Sequence, residues 1–81
     1  VNQGDLVGPF TSQKCFHLTT TSAVTITVIT TGTEQGCLDV YIPQHVNDTG
    51  DDPSITVPTA NGDLWAAASC YGSSKTFSVQ F

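Results

Sequence analysis

Residues 62–81, GDLWAAASCYGSSKTFSVQF, decide the fold class. Two strand-length segments flank Gly72-Ser73-Ser74, a tripeptide of turn composition. Residues 64–71 carry the only tryptophan, Trp65, and the cysteine Cys70. Residues 76–81 alternate, with Phe77, Val79 and Phe81 on one face. A period of two marks a strand with one buried side. The stretch is therefore expected to form a hairpin whose apolar rows cover the other strands. With Leu64, Ala66 and Ala68 on one side, Trp65, Ala67 and Tyr71 share the other. A lone tryptophan in so small a domain is expected in the core. The alanine run makes this hairpin a poor binding face.

The same pattern recurs upstream. Residues 11–19 place Phe16 and Leu18 inward, with Cys15 and His17 opposite. Residues 23–31 set Val24, Ile26 and Val28 against Thr25 and Thr27 in a nearly continuous β-branched run, which suits a pleated sheet. Ile29 breaks the alternation, so that end is expected to be covered on both faces. Residues 37–42 (CLDVYI) turn Leu38, Val40 and Ile42 inward and Asp39 and Tyr41 outward, and Pro43 ends the strand. Ile55 and Val57 mark a short strand over 54–57. Turns are read at 20–22, 32–36 and 59–63, and residues 44–53 (QHVNDTGDDP) read as an acidic loop. Residues 1–9 are read as an N-terminal arm outside a single domain, residues 10–81, with a loose tail or a short edge strand as the alternatives. No apolar i, i+3, i+4 stripe supports a helix. Six to seven short strands predict an all-β protein, a small antiparallel β-sandwich of jelly-roll or Ig-like type.

A domain of 81 residues buries only about 60% of its unfolded surface and often needs a covalent staple. The three cysteines, Cys15, Cys37 and Cys70, cannot all pair within one chain. A Cys37–Cys70 disulfide is favoured, contributing roughly 3–4 kcal/mol through loop closure. Cys15–Cys37 and Cys15–Cys70 remain open, and Cys15 is otherwise a free thiol or the site of an intermolecular bond. Asn47-Asp48-Thr49 is a glycosylation sequon. Sequon, dispersed cysteines and few charges together predict a secreted, extracellular glycoprotein. Seven acidic residues against two basic ones, Lys14 and Lys75, give a net charge of -5 and exclude a basic nucleic-acid footprint. No apolar run reaches the roughly 20 residues of a membrane span, and no signal segment is read, as expected of a mature product.

No spaced nucleophile, zinc or carboxylate-pair motif accompanies the Ser, His and Asp residues, so no enzyme is expected. His17 and His45 read as surface side chains. Asp48, Asp51 and Asp52 supply hard oxygens and form a candidate calcium site, which a glycan on Asn47 would crowd. Tyr41 beside Asp39 is a candidate ligand face for a sugar. Val1, Leu6 and Val7 make the arm a candidate assembly element, able to add as a strand to a neighbour's sheet.

Leu38-Asp39-Val40-Tyr41-Ile42 resembles the D-L-Y-V strand of bacterial pre-peptidase C-terminal domains. Residues 57–65, VPTANGDLW, resemble their V-P-A-x-G-T-W segment, and Tyr71-Gly72 their G-Y-S-G turn. The resemblance spans residues 11–81, and departs from the family in its cysteines and in Ala66-Ala67-Ala68, where the family carries an arginine-rich strand. It implies a jelly-roll-like sandwich attached to secreted enzymes, non-catalytic, with members that bind collagen, polysaccharide or calcium. The function expected is a secreted module that binds extracellular polysaccharide or matrix protein. The alternative is a self-assembling subunit of a glycosylated extracellular fibre or surface layer, joined by the N-terminal arm or an intermolecular disulfide.

Overall fold

The computed structural model describes residues 1–31, 35–58, 62–70 and 75–81. They form eight strands: β1 Leu6–Phe10, β2 Lys14–Thr20, β3 Val24–Thr30, β4 Gly36–Ile42, β5 Val46–Gly50, β6 Ser54–Val57, β7 Gly62–Cys70 and β8 Phe77–Gln80. Two antiparallel four-stranded sheets result, ordered β1-β8-β3-β6 and β2-β7-β4-β5. The pairs β4·β5, β3·β6, β2·β7 and β1·β8 are nested, as in one long hairpin whose arms have been rolled up. Added β3·β8 and β4·β7 pairs zip the rolled arms into two sheets. This is the eight-stranded jelly-roll connectivity.

The core lies between the inner faces. Alternation decides what enters it: Phe16 and Leu18, Val24, Ile26 and Val28, Leu38 and Val40, Leu64, Ala66 and Ala68, and Phe77, Val79 and Phe81 are all buried. The small alanines at the centre of one sheet lie in a cluster whose other members are mostly branched or aromatic, an interleaving of small and large that keeps packing dense. Phenylalanines bind the sheets at one end, with Phe16 of β2 5.2 Å from Phe81 and 5.9 Å from Phe10 of β1. Each such pair adds about 0.5–1.5 kcal/mol beyond its burial. Gly36 sits in a tight place, where a Cβ would lie 3.0 Å from Pro53 and 3.1 Å from Val28 and would have to push them aside.

Several expectations are corrected. The described residues form eight strands, two more than the alternation marks, because β1 (LVGPF) and β5 (VNDTG) carry no period-two apolar pattern. Residues 46–50, read as loop, are β5, held to β4 by its backbone ladder from Val40↔Val46 to Gly36↔Gly50. Residues 6–10, read partly as arm, are β1, with Val7 opposite Val79 and Phe10 opposite Phe77. Val1 donates its terminal amine to the His17 carbonyl at 2.9 Å, while Leu6 is exposed. A bulge between Val7 and Phe10 places Gly8 at φ 119, where its missing Cβ avoids the backbone of Ser78. Residues 62–81 are not a hairpin: β7 and β8 belong to different sheets. The expected turn at 72–74, Tyr71, and parts of the turns at 32–36 and 59–63 lie outside the described residues. Ile29 is exposed on the outer face, opposite Ser78.

The disulfide staple is also overturned: all three cysteines are free. Cys70 pairs with Gly36, so neighbouring Cys37 has the opposite pleat. Cys70 accordingly packs toward the core and Cys37 faces outward beside Asp39. Cys15 shares Cys37's face, but β7 stands between their strands, a separation of about 10 Å. A disulfide needs its Cα atoms within about 7 Å. Burial of the sheet faces therefore carries the stability.

Leu38→Ala is expected to cost about 2–5 kcal/mol in urea unfolding, because Leu38 is fully buried. Deleting residues 1–10 is expected to destabilise the domain, since it strips β1 from β8 and Phe10 from Phe16 and Phe77; an unchanged urea midpoint would contradict this placement.

Candidate functional site

The two outer faces differ in kind. On β3, β6 and β8, the outward side chains are hydroxyl-rich: Thr25 Oγ1 lies 2.9 Å from Thr56 Oγ1, and Thr27 Oγ1 3.1 Å from Ser54 Oγ. These cross-strand pairs satisfy one another and leave no aromatic ring on view. The outer face of β2-β7-β4-β5 instead gathers the tryptophan, a tyrosine and both histidines of the chain.

Trp65 is 44% exposed, correcting the expectation that it lies in the core. The cause is the pleat: Leu64 and Ala66 on either side are buried, so Trp65 between them must point out. For the same reason the alanine run does not spoil the face, because Ala66 and Ala68 point inward. Ala67, on the outer side, is buried among its neighbours at 3% exposure and forms a low floor beside Trp65. Opposite Trp65 on β2 stands His17. Their rings stack at 4.4 Å between centroids, 22° apart. His17 Nε2 lies 2.8 Å from Asp63 Oδ1, and because a carboxylate only accepts, the imidazole nitrogen is the donor.

A second cluster of the same construction sits on β4 and the turn into β5. Tyr41 and His45 stack at 5.2 Å with planes 6° apart. His45 Nε2 lies 3.4 Å from Asp39 Oδ1, and the Cys37 thiol donates to Asp39 Oδ2 at 3.8 Å. Between Val40 and Ile42 the β4·β7 register shifts, so that Ile42 falls opposite Trp65. Bulges re-aim side chains, and this one turns both Tyr41 and Ile42 outward, at 50% and 48% exposure. Ile42, expected inward, is thereby placed beside Trp65. The face thus runs from His17 through Trp65 and Ile42 to Tyr41 and His45, crossing three strand spacings, about 14 Å.

The remaining candidate residues fall nearby or are otherwise engaged. Asn47 is exposed on β5 directly across from Asp39, at the rim of the aromatic face. Cys15 is exposed on β2 opposite Ala67. Asp48 Oδ2 accepts the Ser54 backbone N–H at 3.0 Å, and Asp52 Oδ1 accepts that of Thr30 at 3.1 Å, so both pin the turn between β5 and β6. Among the described residues no three His, Cys, Asp or Glu side chains are grouped to hold a metal ion. A mixed cleft of ≈ 310 Å³ opens where β5 and β6 part company, with Val40, Val46, Ile55 and Val57 among its apolar walls and Gln44 and Thr56 among its polar ones. The sequence missed Trp65 and His45 as partners in this face. The near-continuous apolar spelling of β7 hid the first, and the loop assignment of residues 44–53 hid the second.

No family model matches the chain, and no curated protein matches it. Among solved structures, the chain is similar to the pre-peptidase C-terminal domain of a collagenase from Bacillus anthracis. The TM-score is 0.71 at 9% sequence identity, over 98% of this chain and 88% of that one. The likeness is one of fold, and it is to the kind of domain that the 38–42 and 57–65 segments resemble.

Two outcomes test the placement. Acrylamide is expected to quench Trp65 fluorescence in the native state nearly as well as in urea; a protected emission would bury the indole. A thiol reagent is expected to modify Cys15 in the folded protein, and all three cysteines once the chain is denatured without reductant.

Proposed function

We propose that the chain is a secreted, non-catalytic β-sandwich module that binds extracellular polysaccharide through the outer face of β2-β7-β4-β5. The observation that carries this reading is the pair of exposed aromatic–imidazole stacks, each tied to a carboxylate, on one sheet face. Sugars present apolar C–H faces and a ring of hydroxyls. Flat aromatic surface meets the first, and carboxylate oxygens with spare lone pairs meet the second. Both stacks are built on strands, whose pleat holds the rings in place before a ligand arrives, and preorganisation lowers the entropic cost of binding.

The non-catalytic part of the reading is supported by how the reactive groups are joined. Asp39 sits between the Cys37 thiol and the His45 imidazole, so the base is bonded to the acid and not to the nucleophile. Likewise His17 is held by Asp63 and by Trp65, and among the described residues its ring has no hydroxyl or thiol partner. A matrix protein is the second reading, favoured by a fold shared with a domain of a collagenase. The same aromatic strip would serve a protein ligand. A glycan on Asn47 would stand at the rim of this face and compete with either ligand.

Pull-down on insoluble, uncharged polysaccharide is the direct test. Wild-type chain is expected in the bound fraction, and Trp65→Ala and Tyr41→Ala are each expected to weaken binding about tenfold or more, as central aromatic anchors do. Their urea midpoints should stay close to wild type, since both rings are about half exposed. Retention unaffected by either substitution would refute the assignment of the face; retention on immobilised collagen alone would select the matrix reading.

A further inference from the structure

Resting on the polysaccharide reading, the charge of the same face points to which polysaccharides it admits. Its charged side chains among the described residues are Asp39 and Asp63, one at each aromatic stack. The chain has only two lysines and no arginine, and Lys14 lies on the inner side of its strand. Lys14 pairs with the inward-facing Ala68 and holds its Nζ 5.7 Å over the Phe10 ring. Lys75 lies half-buried past the end of β7. The nearest cation is the Val1 ammonium, which is bound to the His17 carbonyl at 2.9 Å, and Lys14 does not stand beside Trp65 to pair a carboxylate or sulfate brought in on a sugar.

The two carboxylates differ in reach. Asp39 is 21% exposed, with both oxygens engaged by Cys37 and His45. Asp63 is 63% exposed, accepts from His17 through Oδ1, and shares the strand and outer face of Trp65. An acidic sugar stacked on Trp65 would bring its charge within a few ångströms of Asp63. Like charges at about 5 Å in water repel by roughly 1 kcal/mol, about a fivefold loss per contact. A sugar hydroxyl at that place donates to the carboxylate instead, forming a charge-assisted bond.

We infer that Asp63 is a specificity-determining residue of this face, admitting uncharged polysaccharides and rejecting acidic ones. It acts by attraction to hydroxyls and by repulsion of anions, the two halves of discrimination.

The test titrates the Trp65 fluorescence of the full chain with two soluble polymers of matched length, an uncharged glucan and a polyuronate, at low salt. Wild type is expected to bind the glucan at least about tenfold tighter. Asp63→Asn is expected to reduce that ratio about fivefold, and Asp63→Lys to bring the two polymers to near equality or to reverse them. Raising the salt should narrow the wild-type ratio, because an exposed charge is screened. A ratio unchanged in both variants, with the glucan still bound, overturns the role of Asp63 and leaves the polysaccharide reading standing. Tighter wild-type binding of the polyuronate overturns it too. Failure of both polymers to move the fluorescence removes the polysaccharide reading itself, and this inference with it. Both variants should fold, Asp63 being mostly solvent-exposed, and a thermal melt checks it.

Discussion

The pleat of β7 is the constraint on which the rest depends. It is flanked by β2 and β4, and along it Leu64, Ala66 and Ala68 enter the core while Asp63, Trp65 and Ala67 face out. A slip of one residue against either neighbour would exchange the two sets, exposing Leu64 and driving an indole between sheets that meet over alanine. Burying one leucine contributes about 1.5–3 kcal/mol, so each inward residue opposes that slip. The nested pairing of the jelly roll then fixes what stands beside Trp65: His17 from β2 and the bulge of β4. Packing and display are thus set by one register.

The face that follows is preorganised by local contacts rather than by a covalent staple. Each imidazole is held twice, by a ring and by a carboxylate, and each carboxylate is held by its histidine. With three free thiols, stability comes from close packing of the inner faces and from the phenylalanine cluster at one end. The opposite sheet closes its outer hydroxyls on one another. That contrast is why the aromatic face, and not its counterpart, is assigned a ligand.

Much of the fold was legible in the spelling of single strands. The alternations of Phe16 and Leu18, Val24 to Val28, Leu38 and Val40, and Phe77 to Phe81 place inward residues where they are found. Pairing was not legible, because nested pairs join residues far apart in sequence; Val7 and Val79 are opposite each other. Residues 64–71 and 76–81 looked like partners only because they are neighbours in the chain. Edge strands were faint for a physical reason: β5, spelled VNDTG, is held by backbone bonds that any non-proline residue can make. The site was half legible. Tyr41 and Asp39 stood out as outward residues beside each other, whereas Trp65 stands in an apolar run, Leu64 to Ala68, that reads as buried throughout. Its partner His45 was hidden by the absence of pattern around it, and Ile42 by a bulge that no periodicity reveals.

The most direct test of the ligand face is a residue-resolved map of where a sugar lands. With the chain labelled in nitrogen-15, amide and indole shifts would be followed as an uncharged oligosaccharide is added. The account predicts changes concentrated at Trp65, its indole N–H, His17, Asp63, Tyr41, Ile42 and His45, with β3, β6 and β8 silent. Changes centred on the cleft between β5 and β6, or on the hydroxyl face of β3 and β6, would contradict it.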